Sequence, residues 1–424
     1  MTDDTTREGT TETTVSVRQE ARPLTQAQAG LWYAQRLDPR NPVFNTAQYV
    51  EIRGPFDVVA FADAVGRAMA EADALAVRII DEDGQPRQIV DASRIASLEV
   101  VHLPGASVDA AQAAMNEDLR TPLDPAVDRL ARQQLFVLGN KHHVWYQRVH
   151  HVVIDGYGTA LLTARICDLY TAAINGTAPT TPAFAPLDPV IDADVAYQAS
   201  TKRETDRAFW MERLRDAPPA AGLGRKVDVT AHDYRRAAID LEVSAGDALG
   251  RIANETGMQW PDVLAALSAA YVARHGGVAD VTVGVAAMER LGTVAARVPA
   301  MAMNIVPLRV LVDEDRPIVE WLRALAPDVR RMRRHGRYRG EHLRRDLGLV
   351  GADRRTYGVL VNILPFDAPA PLAGAETTVH VLATGPVDDI TINLRADASL
   401  TRVRAELDGN PRIYSQSELD AHAE

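Results

Sequence analysis

The sequence predicts an α/β protein built as two comparable lobes, on three observations. Its 424 residues exceed what one hydrophobic core usually fills, since single cores stop growing beyond about 250–300 residues. Segments with helical apolar spacing alternate with short period-two segments along the whole chain, the pattern of a mixed α/β protein. Residues 177–193 hold four prolines, Pro179, Pro182, Pro186 and Pro189, and little periodicity. They read as a linker, dividing a lobe over 23–180 from one over 181–424.

Residues 1–22 are rich in Thr, Glu and Asp and poor in apolar residues, which predicts a disordered tail. Thr25 is a good N-cap for a helix over Gln26–Arg36. Ala47–Arg53 alternates as a strand. Asp57–Ala74 is an amphipathic helix with Val58, Phe61, Val65 and Met69 on one face. Strands follow at Leu75–Ile80, Gln88–Val90 and Leu98–Val101, then a helix at Asp109–Leu119. Gln134–Leu138 and His143–Val149 form a hairpin through Gly139-Asn140-Lys141. Gly158–Ile174 is a helix closed by Asn175-Gly176.

In the second lobe, helices are expected at Glu204–Asp216, Ser244–Thr256, Pro261–Gly276 and Ile318–Arg334. Strands are expected at Ala238–Val243, Val281–Val285, Val306–Val312, Gly358–Ile363, Thr377–Leu382 and Ile390–Leu394. Ser415–Glu424 begins a helix that the sequence cuts off, as in a fragment of a longer chain.

Composition narrows the function class. A formal net charge of −11 opposes binding to nucleic acid or an anionic membrane. The densest basic run is Arg330-Arg331, Arg333-Arg334 and Arg337. It reads either as a solvated helix face or as a dock for an acidic or phosphorylated partner. One cysteine, Cys167, excludes a disulfide framework, and no His or Cys cluster completes a metal site. No apolar stretch reaches the length of a membrane span, and the polar start carries no signal pattern, so a cytoplasmic monomer is expected.

The residues that carry chemistry lie at the end of the second hairpin strand, in His150-His151-Val152-Val153-Ile154-Asp155-Gly156. Adjacent strand residues point to opposite faces, so only one histidine of the pair can face a given cavity. Asp155 suits an N-cap, and Gly156 permits a sharp entry into the helix. A buried Asp155 would also need an arginine partner.

This run resembles the HHxxxDG signature of the condensation-domain superfamily of nonribosomal peptide synthetases. Further segments strengthen the resemblance. Leu24-Thr25-Gln26-Ala27-Gln28-Ala29-Gly30-Leu31-Trp32-Tyr33-Ala34-Gln35 is similar to the family's opening motif. Met303-Asn304-Ile305-Val306-Pro307-Leu308-Arg309 is similar to its "VNTxPLR" strand. Tyr338-Arg339-Gly340-Glu341 and Val361-Asn362-Ile363 resemble two later blocks. Arg337–Glu341 and Leu382–Asp389 bring it nearest to the N-terminal condensation domain of enterobactin-type siderophore synthetases. The second family motif departs: Glu71–Ile79 lacks both of its arginines, and Arg78 lies two positions later.

The resemblance implies two chloramphenicol-acetyltransferase-like lobes forming a V-shaped pseudo-dimer. It implies an acyltransferase that joins an acyl thioester on one carrier protein to an amine on another. His151 is the expected catalytic residue, with His150, Asp155 and Gly156 completing the signature. Arg290 is the first choice as partner of Asp155, with Arg309 and Arg78 behind it. Tyr157, Gly158, Asn362 and Asn304 are expected along the substrate tunnel. No cofactor is expected on the domain itself, because substrates ride on 4'-phosphopantetheine arms. The donor carrier is expected in trans, since no carrier sequence precedes Pro23. Adenylation and peptidyl carrier domains are expected downstream on the full chain, in siderophore or antibiotic biosynthesis. Two other outcomes stay open: an ester-forming acyltransferase of the same superfamily, and a non-catalytic module that recruits a tailoring enzyme.

Overall fold

The computed structural model describes residues 20–224, 230–290, 292–349, 355–365, 370–397 and 399–424. Among the described residues, fourteen strands fall in three sheets. They are β1 (Arg22–Pro23), β2 (Asn45–Arg53), β3 (Val77–Glu82), β4 (Gln85–Val90), β5 (Leu98–His102), β6 (Ala131–Gly139), β7 (His142–His150), β8 (Arg235–Leu241), β9 (Asp280–Ala287), β10 (Asn304–Leu311), β11 (Val359–Leu364), β12 (Glu376–Ala383), β13 (Ile390–Ala396) and β14 (Val403–Gly409). The expected tail lies outside the described residues up to residue 19. Arg22 is not part of it, because β1 pairs antiparallel with β4.

The first large sheet has the order β12-β2-β7-β6-β5. Both of its faces are covered. Val50, Ile52, Leu135 and Trp145 pack with Phe61, Val65 and Met69 of the helix Val58–Glu71 and with Leu162, Ile166 and Leu169 of the helix Gly156–Asn175. The alternate residues Tyr49, Phe136, Val144 and Tyr146 pack on Ala111 and Met115 of the helix Val108–Leu119. A strand buried on both faces loses its polar/apolar alternation, as in β7, where eight of nine residues are buried.

The second large sheet has the order β10-β9-β11-β13-β14-β8. One face packs on the helices Val243–Thr256, Trp260–Gly276 and Ile318–Arg334, through residues such as Val283, Val361, Ile392 and Leu407. The opposite face is polar and buried: Asn393, Arg395, Glu406 and Asp408. Pro307 sits on the edge strand β10, where a missing N–H is tolerated.

Several sequence expectations change. A cut at residue 180 does not separate the sheets, because β12 crosses back and pairs with β2 from Glu376↔Arg53 to Ala383↔Ala47. The proline-rich linker ends early. A helix runs over Asp188–Gln198 with Pro189 in its first turn, where proline is pre-organised for the helix. The helix expected over Asp57–Ala74 ends at Glu71 and passes into a 3₁₀ turn at Asp73–Ala76. Strand β14 and the short helix Gly340–Asp346 were not foreseen. In β14 the polar residues Arg404, Glu406 and Asp408 masked a strand whose inner face is a salt-bridged layer.

Candidate active site

Strand β7 ends at His150, and the helix Gly156–Asn175 begins six residues later. Main-chain bonds fix the turn between them: His150 N–H donates to Leu130 O at 2.8 Å, His151 N–H to Phe44 O at 2.7 Å and Val153 N–H to His150 O at 3.1 Å. Val152, Val153 and Ile154 are fully buried. The apolar triplet thus anchors the turn in the first core.

The two histidines have different surroundings. The His150 ring is enclosed, with 1 % of the residue exposed. Its Nδ1 accepts from Val152 N–H at 3.2 Å, so its proton sits on Nε2, which donates to Gln35 Oε1 at 2.5 Å. Burial pushes its pKa down to about 3, aided by the neighbouring His151 and Arg148. A neutral imidazole with both nitrogens engaged has no lone pair left to offer a substrate.

His151 is built the other way round. Its Nδ1 lies 2.7 Å from Ile154 O. A carbonyl can only accept, so Nδ1 carries the proton and the neutral ring presents an unprotonated Nε2. That edge of the ring faces Gly385: a Cβ built on Gly385 would stand 2.7 Å from Cδ2 and 3.2 Å from Nε2. The residue keeps 6 % exposure.

Asp155 is fully occupied. Its Oδ1 caps the helix by accepting from Gly158 N–H at 2.9 Å. Its Oδ2 accepts from Arg290 Nη2 at 2.7 Å, Ala302 N–H at 3.0 Å and Met303 N–H at 2.9 Å. Arg290 is wholly buried. It also donates through Nη1 to Ala295 O at 2.9 Å and Val298 O at 2.7 Å, and through Nη2 to Ala300 O. Gly156 stands where a Cβ would touch Leu364 of β11 at 3.4 Å. The carboxylate therefore bolts the helix start to the loop before β10.

The other arginines lie elsewhere. Arg309 pairs with Asp280 and donates to Arg213 O and Asp216 O. Arg78, half-buried, faces Asp91 at 3.7 Å. Of the basic run, Arg331 pairs with Asp328 and Arg333 with Asp262.

The expected tunnel residues also have structural partners. Tyr157 donates its hydroxyl to Ala296 O at 3.1 Å, and its ring lies under the Arg290 guanidinium at 5.3 Å. At Gly158 a Cβ would meet Ile154 at 2.8 Å and the main chain of Ala300 at 3.3 Å, so this glycine permits close packing. Asn304 is buried and donates to Gly336 O at 2.6 Å and Tyr338 O at 2.9 Å. Asn362 donates to Asn393 Oδ1 at 2.9 Å, and Asn393 in turn to Asp408 Oδ2 at 2.9 Å. Sequence reasoning missed Gln35 and Gly385. Gln35 had a signal, its place in the opening motif, and Gly385 lay in the Leu382–Asp389 segment.

Among the described residues no helix is long and apolar enough to cross a membrane. A family model described as Condensation domain matches residues 18–367. A dimodular nonribosomal peptide synthase of Bacillus subtilis (strain 168) is 37% identical over 94% of this chain and 17% of its own length. Enterobactin synthase component F of Escherichia coli O157:H7 is 32% identical over 95% of this chain and 31% of its own length. The chain thus spans less than a third of these relatives. Among solved structures, the starter condensation domain of rhizomide synthetase RzmA, a mutant in complex with C8-CoA and Leu-SNAC, superposes with a TM-score of 0.88. Its identity is 30%, and 95% of this chain and 92% of that one are covered.

Proposed function

The chain belongs to the condensation-domain family of acyltransferases, and on that premise we propose that it forms an amide between a carrier-bound acyl thioester and a carrier-bound aminoacyl acceptor. The observation that carries this reading is the tautomer of His151. With the proton held on Nδ1 by Ile154 O, Nε2 is the one basic nitrogen of the signature free to meet an amine. An α-amine has a pKa of about 8 and is partly neutral near pH 7, so a base has little to do before attack. The amine nitrogen bonds to the thioester carbonyl carbon and the C–S bond breaks. The amine proton passes to Nε2 and on to the departing thiolate. His151 contributes by accepting that proton or by holding the amine in line. Asp155 touches no substrate in this scheme and acts only as a restraint.

The donor is an acyl group delivered by a separate carrier at the start of a chain, an aryl-acyl or similar group. Two relatives support this reading: a siderophore synthetase component, and a starter domain bound to an acyl-CoA and an aminoacyl analogue. The test is a reconstitution. Candidate acyl groups are loaded on one carrier and an aminoacyl group on another, and the amide is followed by mass spectrometry. Amide formed with simple acyl donors and lost in His151→Ala is the expected result. Reaction with peptidyl donors alone would remove the starter assignment, and product from alcohol acceptors alone would make the enzyme ester-forming.

A further inference from the structure

The crossing strand β12 returns to the second sheet through Thr384-Gly385-Pro386-Val387-Asp388. This strap is tied at both ends to the second lobe. Before it, Arg236 Nη1 donates to Val381 O at 2.6 Å, and the Tyr234 hydroxyl donates to Leu382 O. Arg236 is itself held by a two-pronged bond to Asp408, at 2.6 and 2.8 Å. After it, Asn410 donates to Asp388 O at 3.0 Å and to Asp389 O at 2.8 Å, and the Thr230 hydroxyl donates to Asp388. Between these ties the chain reaches Gly385 at φ 115°, a backbone conformation that glycine alone adopts readily. There the space that a side chain at 385 would take is filled by the Cδ2–Nε2 edge of His151.

From this juxtaposition we infer that Gly385 is a positioning residue for His151: the tethered strap braces the imidazole edge and keeps the ring turned so that Nδ1, not Nε2, bonds Ile154 O. The inference rests on the reading that His151 Nε2 is the reacting nitrogen, and it extends that reading to the second lobe. A methyl at 385 stands 2.7 Å from the ring, inside any normal contact. The strap cannot retreat freely, because both ends are tied, so the ring yields. A rotated ring loses the Ile154 bond and with it the fixed tautomer. Displacement of a reacting group by about 1 Å can cost 10²-fold in rate.

The test uses the whole 424-residue chain. Gly385→Ala, Tyr234→Phe and His151→Ala are made singly, and the first two are also combined with His151→Ala. Turnover is measured, and the ring nitrogens are read by selective ¹⁵N-histidine NMR, with His151→Ala identifying the signal. Gly385→Ala is expected to lower turnover about 10²-fold and to blur the Nδ1–H signature. In the His151→Ala background it should have no further effect beyond about twofold, the scatter of independent sites. Tyr234→Phe, which loosens the strap without straining the backbone, should show the same pattern at smaller size, and it carries the test alone if Gly385→Ala does not fold. An unchanged Nδ1–H signature, or losses that multiply with that of His151→Ala, would overturn the inference. Full turnover by His151→Ala would instead remove the reading of the chemistry, while the NMR still reports whether Gly385 sets the ring.

Discussion

The two lobes contribute to the site unequally. The first supplies the imidazole, on a seven-residue run from His150 to Gly156 that ends one strand and starts one helix. The second supplies restraint: Arg290 and the amides of Ala302 and Met303 on Asp155, and the strap that brings Gly385 to the ring. The reacting nitrogen and its Ile154 partner are thus local in sequence, while the second-lobe groups that fix Asp155 come from 135 or more residues away. Chemistry and restraint should therefore separate under mutation.

The sharpest separation is expected at His151. His151→Ala removes the nitrogen but leaves the triplet Val152–Ile154 packed and Asp155 paired. Turnover should fall roughly 10²–10⁴-fold, while the melting temperature stays close to that of the parent. Full turnover by a folded His151→Ala protein would end the division proposed here.

The reverse is expected across the lobes. Asp155→Ala leaves Arg290 charged, buried and short of its carboxylate. Arg290→Ala strands the carboxylate and three main-chain carbonyls, of Ala295, Val298 and Ala300. Removing one partner of a buried pair costs about 3–5 kcal/mol, so both variants should unfold at clearly lower urea, with activity lost in parallel. If either variant kept parental stability, the bolt between the lobes would be weaker than its geometry implies.

The sequence made the first-lobe half of this comparison readable and left much of the second obscure, for physical reasons. The His150–Gly156 run carries its own signals: a strand, an apolar anchor, an N-cap and a glycine. The Arg290 pairing was readable only through resemblance, because nothing local to residue 290 marks its partner. Strand β14 was hidden by charges that face a buried polar layer, where alternation no longer reports solvent. The return of β12 to the first sheet is a long-range pairing that no local pattern encodes. Asn304 and Gly158 stand in or beside motifs, and the contacts they make, main-chain bonds from Asn304 and close packing at Gly158, have no local sequence signal.

Within the first lobe, the histidine pair gives a smaller, pH-dependent contrast. His150 has its pKa lowered to about 3 by burial, against about 6.5 in an unfolded chain. The unfolded state then binds more protons between these values, so stability rises with pH there. The contribution is complete above about pH 6.5 and is lost as pH falls toward 3. At pH 5 the loss amounts to roughly 2 kcal/mol, from about 1.5 pH units at 1.36 kcal/mol each. Urea midpoints between pH 7 and 5 should therefore drop in the parent and drop less in His150→Asn. Equal slopes in the two proteins would mean that His150 is protonated without cost.

The smallest effects are expected from the two arginines that do not reach Asp155. Arg78 is half-buried and stands 3.7 Å from Asp91, and such loose pairs near the surface contribute about 0–1 kcal/mol. Arg309, on the edge strand β10, is more engaged, with Asp280 of β9 and the carbonyls of Arg213 and Asp216 at the end of the helix Thr201–Arg213, so its loss should cost about 1 kcal/mol. Neither touches a group that holds His151. Arg78→Ala and Arg309→Ala should keep parental turnover at saturating substrate, with urea midpoints ranked parent, Arg78→Ala, Arg309→Ala and, far below, Arg290→Ala. An Arg309→Ala protein as unstable and inactive as Arg290→Ala would spread the restraint over the whole second sheet. The ranked result would confine it to the loop between β9 and β10, where one guanidinium gathers Asp155 and the carbonyls of Ala295, Val298 and Ala300.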